Sequence, residues 1–330
     1  MIRQTSRLTL AMVALCLGAM GLVWWSLAGG TIPLSGQQIY EVLTGNAPRN
    51  IQLIVVQWRL PRVLLALLIG AALGISGAIF QSLLRNPLGS PDVMGFNAGA
   101  WSGVLVAMVF FVQQSTAVAM SAMAGGILSA LVVWSFAWRG GIDTFRLIII
   151  GIGVRAMLLG INTWLLLHAS LETAISAGLW NAGSLNGLTW SKSVPSAPLI
   201  LVALAAVALL ARRLRMLEMG DDSACALGVA TERSRLLLML VAVVLTAAAT
   251  ALAGPISFVA LVAPHIARRL SGTVRYGLAQ AALCGAVLLL AADLCAQRLF
   301  LPYQLPVGVI TVSLGGIYLI VLLIQESRKR

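Results

Sequence analysis

RLPRVLLALLIGAALGISGAIFQSLLRNPLGSPDVMG, residues 59–95, decides how the whole chain is read. Two arginines flank a proline, an apolar run rich in small residues follows, and the run breaks at Asn86-Pro87 and again at Ser90-Pro91. About twenty apolar residues cross a bilayer, and glycine, alanine and serine let neighbouring helices come close there. Backbone interrupted by proline at membrane depth is tolerated only against protein or beside a wet cavity. The stretch therefore predicts a packed membrane helix running into broken backbone, with Pro87 and Pro91 at the break.

The stretch has an echo. Gly77, Ile79, Leu84, Pro87 and Gly95 recur at identical offsets as Gly254, Ile256, Leu261, Pro264 and Gly272. Interrupted helices at corresponding places in two halves point to a transport pathway; the competing reading is two unrelated small-residue helices. Pro255 and Pro264 carry the broken-helix expectation into the second half.

Composition fits. Of 330 residues, 60% are hydrophobic and only 10% charged, against about 25% charged in a soluble domain. This is an integral membrane composition. The net charge of +12 sits in short loops between apolar runs, which is topology and not a nucleic-acid footprint. Cys16, Cys225, Cys284 and Cys295 form no CxxC, and three of them lie in apolar spans, where they read as small buried hydrophobes. His168 and His265 lie far apart, so no metal site is expected. The N-terminus imitates a signal peptide, but its apolar run is too long and Trp24-Trp25 marks an interface, so a retained span is expected.

Ten hydrophobic segments are expected, over 8–28, 62–84, 93–112, 117–137, 147–167, 194–211, 236–253, 256–267, 277–297 and 305–324. The fold class is all-α: a polytopic, ten-span single domain over residues 1–330. An even number of spans puts both termini on one side. Sixteen of the 22 Lys and Arg fall on that side; Arg49, Arg59, Arg62, Lys192 and Arg298 fall on the other, and Arg155 lies inside a span. That asymmetry, including the basic tail 328–330, predicts cytoplasmic termini. The two copies of the echo then cross in opposite directions, as an inverted repeat. The eighth segment, from Pro255 to Arg268, is too short to cross fully and is expected to be a half-helix or a re-entrant piece. Ser35-x-x-Gln38 predicts a capped surface helix within 31–57, and 168–193 could form another.

The loop 212–235, RRLRMLEMGDDSACALGVATERSR, has Asp221, Asp222 and Ser223 as helix starters and Gly228 as a stop. It reads either as a short capped helix or as a polar loop carrying positive-inside arginines. Here the chain resembles a family. GDDSACALGV looks like the coupling segment of iron-siderophore and vitamin B12 ABC importer permeases. RLPR…GAALGISGAIFQSLLRNPLGSPDVMG, GPISFVALVAPHIARR and LPVGVITVSLGG resemble its other signatures, in order along essentially the whole chain.

The resemblance implies a transport subunit with no catalytic residues, paired with a homologous permease as a heterodimer. It also implies two cytoplasmic ATPase subunits that hold ATP and magnesium, and a periplasmic siderophore-binding protein. No GxxxxGK[ST] occurs in this chain, so hydrolysis must come from another one, and no cofactor of its own is expected. Glu218, Gly220, Asp221, Asp222, Ala226, Leu227 and Gly228 match the ATPase-coupling segment. Arg59 and Arg62 match outer arginines that face the binding protein; a third is displaced by one residue to Arg298. Asn86 and Leu88 match one inner gate, and Thr144 and Phe145 another. The implied home is the bacterial inner membrane. The implied cargo is a ferric siderophore, ferric enterobactin first, with another iron chelate, haem or cobalamin as the alternative.

Arg155 stands apart from the resemblance. It lies nine residues beyond Arg146, roughly 13 Å along a helix, and a charge at that depth usually faces a cavity. It is a candidate pathway residue for an anionic cargo, against the alternative of an arginine snorkelling or paired with carbonyls. An ion-coupled secondary transporter is the reading from another class. It would need acidic relays in the spans, where only Asp293 qualifies.

Overall fold

Each of the ten predicted segments coincides with a helix. The computed structural model describes residues 2–327 apart from 31, 112–113, 139–143, 195, 273–276 and 301; the basic tail 328–330 lies outside the described residues. The first half comprises α1 (Ile2–Ala28), α2 (Gly36–Leu43), α3 (Arg49–Leu53), α4 (Leu60–Leu83), α5 (Phe96–Phe110), α6 (Ser115–Ala137) and α7 (Thr144–His168). Then follow α8 (Leu171–Asn181), α9 (Trp190–Ser193), α10 (Ala197–Leu217) and α11 (Asp221–Ala226). The chain closes with α12 (Thr231–Ala253), α13 (Val259–Ser271), α14 (Leu278–Arg298) and α15 (Val307–Ser327).

Among the described residues, seven helices are long and apolar enough to cross a membrane, while α5 and the apolar part of α15 are shorter. The protein is an all-helical, multi-pass membrane protein. α13 has 13 residues, roughly 20 Å, as expected of a half-helix.

α4 is the hub, buried along most of its length. Lipid tails are as apolar as leucine, so helices associate through close packing rather than by escaping water. A Cβ on Gly70 would lie 2.4 Å from the Gly285 carbonyl oxygen of α14, and one on Gly77 would lie 1.7 Å from the Ala260 carbonyl oxygen of α13. Hydrogen bonds lock the hub further. Ser76 Oγ donates to the Ala242 carbonyl of α12 at 2.8 Å, and Gln81 Nε2 to the Leu261 carbonyl of α13 at 2.9 Å.

The backbone breaks twice, after α4 and after α12, and each break leads into a short helix. The first contains Pro87 and ends in a 3-10 turn, Pro91–Met94. The second lies at residues 254–258, where Gly254 (φ +72°) and Phe258 (φ +69°) turn the chain through the left-handed region.

Three expectations are corrected. Pro264 lies inside α13 and does not interrupt it: it withholds only one N–H, from the Ala260 carbonyl that faces Gly77. Pro255 lies in the break, and the helix of the eighth segment begins at Val259 rather than at Pro255. The five echoed residues are not at equivalent places, since Gly77 is inside α4 whereas Gly254 terminates α12. The breaks recur in helix order; the echo does not track them.

The surface helix α2 carries the full capping box, with Ser35 accepting from the Gln38 N–H and Gln38 Oε1 from the Ser35 N–H. α8 is capped by Ser170. Of the cysteines only Cys284 is buried; Cys16 and Cys295 lie on helix faces turned away from the core, which apolar composition alone does not distinguish.

Gly77→Val should destabilise the fold by about 3 kcal/mol through overpacking, read as lost monodisperse protein and a lower melting temperature in detergent. Gly18→Ala, at a position with nothing within 4 Å, should change neither.

Candidate functional site

Three groups of residues carry the chemistry, one at each end of α4 and one at the break that follows it. At the end where α4 begins, a π-helical turn (Ile54–Arg59) joins α3 to α4. Such turns free backbone carbonyls, and here Trp190 Nε1 donates to the Val56 carbonyl at 2.9 Å.

The turn delivers Arg59 to the C-terminus of α1, where its guanidinium donates to the Leu27 and Ile32 carbonyls, both at 2.6 Å. Arg62, one turn on, grips Asp293 of α14 with both arms, at 2.9 and 2.7 Å. Asp293 is 1% exposed and also accepts from Gln297 Nε2 at 2.8 Å. A buried carboxylate bound in this way is charge-balanced. Arg298 reaches the same place by lying over the Trp25 ring, 5.2 Å from its centroid.

Arg59, Arg62 and Arg298 therefore line one pocket of about 540 Å³, with Trp58 and Gln304 at its wall. Three guanidiniums against one carboxylate leave it positive. The one-residue displacement of Arg298 does not remove it from the pocket, because Trp25 holds its side chain in.

At the first break, Arg155 of α7 packs by its backbone on Gly95: a Cβ there would sit 3.2 Å from Arg155 Cβ. The Arg155 side chain is exposed on the surface of the single chain. Its charge acts on Asp92, an acidic residue not singled out in the sequence. Asp92 accepts from the Asn97 amide and from the Phe258 N–H, and Thr250 Oγ1 donates to Asn97 Oδ1 at 3.2 Å. One carboxylate thus joins both breaks, supplying an acceptor to a backbone N–H next to α13 that its helix cannot satisfy.

Of the gate candidates, Asn86 Oδ1 accepts the Leu88 N–H at 2.9 Å in a tight turn, and Leu88 is half exposed. Pro87 offers its carbonyl to His265 Nε2 of α13 at 2.7 Å. Thr144 opens α7, and Phe145 beside it is exposed.

At the end where α4 finishes, the coupling candidates form α11 and the turns on either side of it. Its N-cap is Gly220 (φ +111°), with no side-chain cap, so Asp221 and Asp222 lie inside the first turn and not before it. There they complement the helix dipole instead of capping it. Gly228 (φ +80°) ends the helix in a Schellman motif, with Gly228 N–H donating to the Cys225 carbonyl and Val229 N–H to that of Ala224. Asp222, Ala226 and Leu227 are exposed. Glu218 and Asp221 instead turn toward the rest of the chain: Ser82 Oγ donates to Glu218 Oε1 at 3.0 Å, and Arg85 and Arg235 both bond Asp221. Among the described residues no cluster of His, Cys, Asp and Glu could hold a metal.

Comparison with known proteins adds three relationships. The FecCD transport family matches residues 16–325. The chain is 76% identical over 306 residues to the ferric enterobactin transport system permease protein FepG of Escherichia coli (strain K12), covering 93% of each. It is 38% identical over 328 residues to the achromobactin transport system permease protein CbrC of Dickeya dadantii (strain 3937), covering 98% of this chain and 94% of that one. Among solved structures it resembles a metal-chelate type ABC transporter in an inward-facing conformation, with a TM-score of 0.83, 27% identity and coverage of 95% and 98%.

Proposed function

The chain belongs to the FecCD transport family, and we propose that it is the permease subunit through which an ATP-driven importer moves ferric enterobactin across a bacterial inner membrane. The single observation that carries the cargo is the 76% identity, over 93% of both chains, to a ferric enterobactin permease. In this reading all ten hydrophobic segments enter or cross the membrane, both termini are cytoplasmic, and the two broken halves run in opposite directions.

Each site then has a task. A second, homologous permease packs beside this one, on an exposed apolar face such as that of α7, whose Ile149, Ile152 and Leu159 are uncovered in the single chain. The pathway runs between the two. One of the two ATPases docks on α11, where Asp222, Ala226 and Leu227 are exposed, and the other on the partner permease; this short helix transmits closure of the nucleotide sites as a rigid body. A periplasmic binding protein presents carboxylates to the pocket of Arg59, Arg62 and Arg298. Arg59 and Arg62 are already held by carbonyls and by Asp293, so they meet the partner preorganised and lose little side-chain freedom on docking.

Arg155 supplies the cargo chemistry. Ferric catecholates are anionic, and a guanidinium beside the broken backbone attracts them at the depth where the apolar walls would otherwise repel charge. Asn86 and Leu88, with Thr144 and Phe145, close the path at the end that carries α11. No bond is made or broken in this chain; the ATPase does that chemistry.

The test is uptake by the assembled complex in proteoliposomes. Ferric enterobactin should accumulate only with ATP, and uptake that survives without ATP but collapses with the proton gradient would overturn the proposal in favour of ion coupling. Arg155→Gln should lower uptake at equal expression by about tenfold, the equivalent of about 1.4 kcal/mol; unchanged uptake of the anionic chelate would remove Arg155 from the path.

A further inference from the structure

α4 and α11 end in the same hydrogen-bonded turn, yet only one of them uses glycine. At α11 the left-handed position is Gly228. At α4 it is Arg85 (φ +47°), with Arg85 N–H donating to the Ser82 carbonyl at 3.2 Å and Asn86 N–H to the Gln81 carbonyl at 3.3 Å. A side chain in the left-handed region is disfavoured, and glycine would relieve it. The Arg85 side chain is what that strain supports. Its Nη2 reaches Asp221 Oδ1 at 3.2 Å, and Arg235 Nη2 of α12 holds the same carboxylate at 3.0 and 3.1 Å. Beside them Ser82, the last but one residue of α4, donates to Glu218 at 3.0 Å.

We infer that Arg85, Asp221 and Arg235, backed by Ser82 and Glu218, form a latch that ties the coupling helix α11 to the end of α4, and so to the gate turn at Asn86–Leu88. Asp221 and Glu218 are positioning residues, turned toward their own chain, while the neighbouring exposed residues of α11 meet the ATPase. This divides the coupling segment into a face that receives movement and a face that passes it on. It rests on the proposed coupling of α11 to an ATPase. The ion pair Arg85–Asp221 is more than half exposed on the arginine side, and solvated pairs of this kind contribute little to stability. The role of the latch is therefore in transmission and not in holding the fold.

The strained backbone gives a clean experiment. Arg85→Gly removes the side chain and relaxes the turn together, so the variant should fold, melt at the same temperature or higher, and assemble with its ATPases as before. In proteoliposomes holding the full complex, it should hydrolyse ATP but move several-fold less ferric enterobactin per ATP. Asp221→Asn should show the same uncoupling, and Arg85→Lys should restore most of the coupling ratio. Wild-type transport per ATP in Arg85→Gly would overturn the latch, as would loss of ATPase binding, which would place Arg85 in the docking surface. Failure of the unsubstituted complex to import with ATP would instead count against the proposed function.

Discussion

In a bilayer a helix gains nothing by leaving apolar surroundings, so cohesion comes from how closely backbones can approach. α4 is where that approach is closest. Gly70 and Gly77 admit α14 and α13 to distances at which a single Cβ would collide with a carbonyl oxygen. The consequence is mechanical as well as energetic: a helix buried on nearly all sides moves only with its neighbours. Arg59 and Arg62 stand at its head, and Ser82, Arg85 and the Asn86–Leu88 turn stand at its foot. One rigid rod thus joins the positive pocket to α11, and in the proposed importer it spans from binding-protein contact to ATPase contact.

Around that rod the breaks solve a polar problem. Interrupted backbone at depth exposes N–H and carbonyl groups that lipid cannot satisfy. The second break is met by Asp92, a carboxylate from the first, which accepts the Phe258 N–H while Asn97 and Thr250 complete the network. The two halves of the chain are therefore closed by a polar bond at the point where both are weakest. His265 makes a second tie, to the Pro87 carbonyl.

Much of this was legible in the sequence because it is written locally. Hydrophobic runs located the helices, Ser35 and Gln38 announced a capping box, and Gly220 and Gly228 bracketed α11. Other features were not local. Asp293 and Arg62 are 231 residues apart, and nothing in either neighbourhood announces the pair. Arg85 in a left-handed turn could not be read, since the signal for that conformation is glycine. Pro264 was misread for the opposite reason: proline usually marks a break, but here the carbonyl it leaves without a donor is packed against Gly77. Asp92 lay in the quoted stretch throughout, and its weight became visible only when the second half folded over it. Arg298 shows that a position shifted by one residue on a helix can be recovered by a neighbouring ring.

The account depends most on which side of the membrane α11 occupies, and Cys225 within it is exposed and free. In a chain whose other cysteines are replaced by alanine, a membrane-impermeant maleimide should label Cys225 in inverted membrane vesicles and leave it untouched in right-side-out vesicles. Labelling from the right-side-out face alone would put the coupling helix on the wrong side of the membrane for any ATPase, and the proposed mechanism would be contradicted.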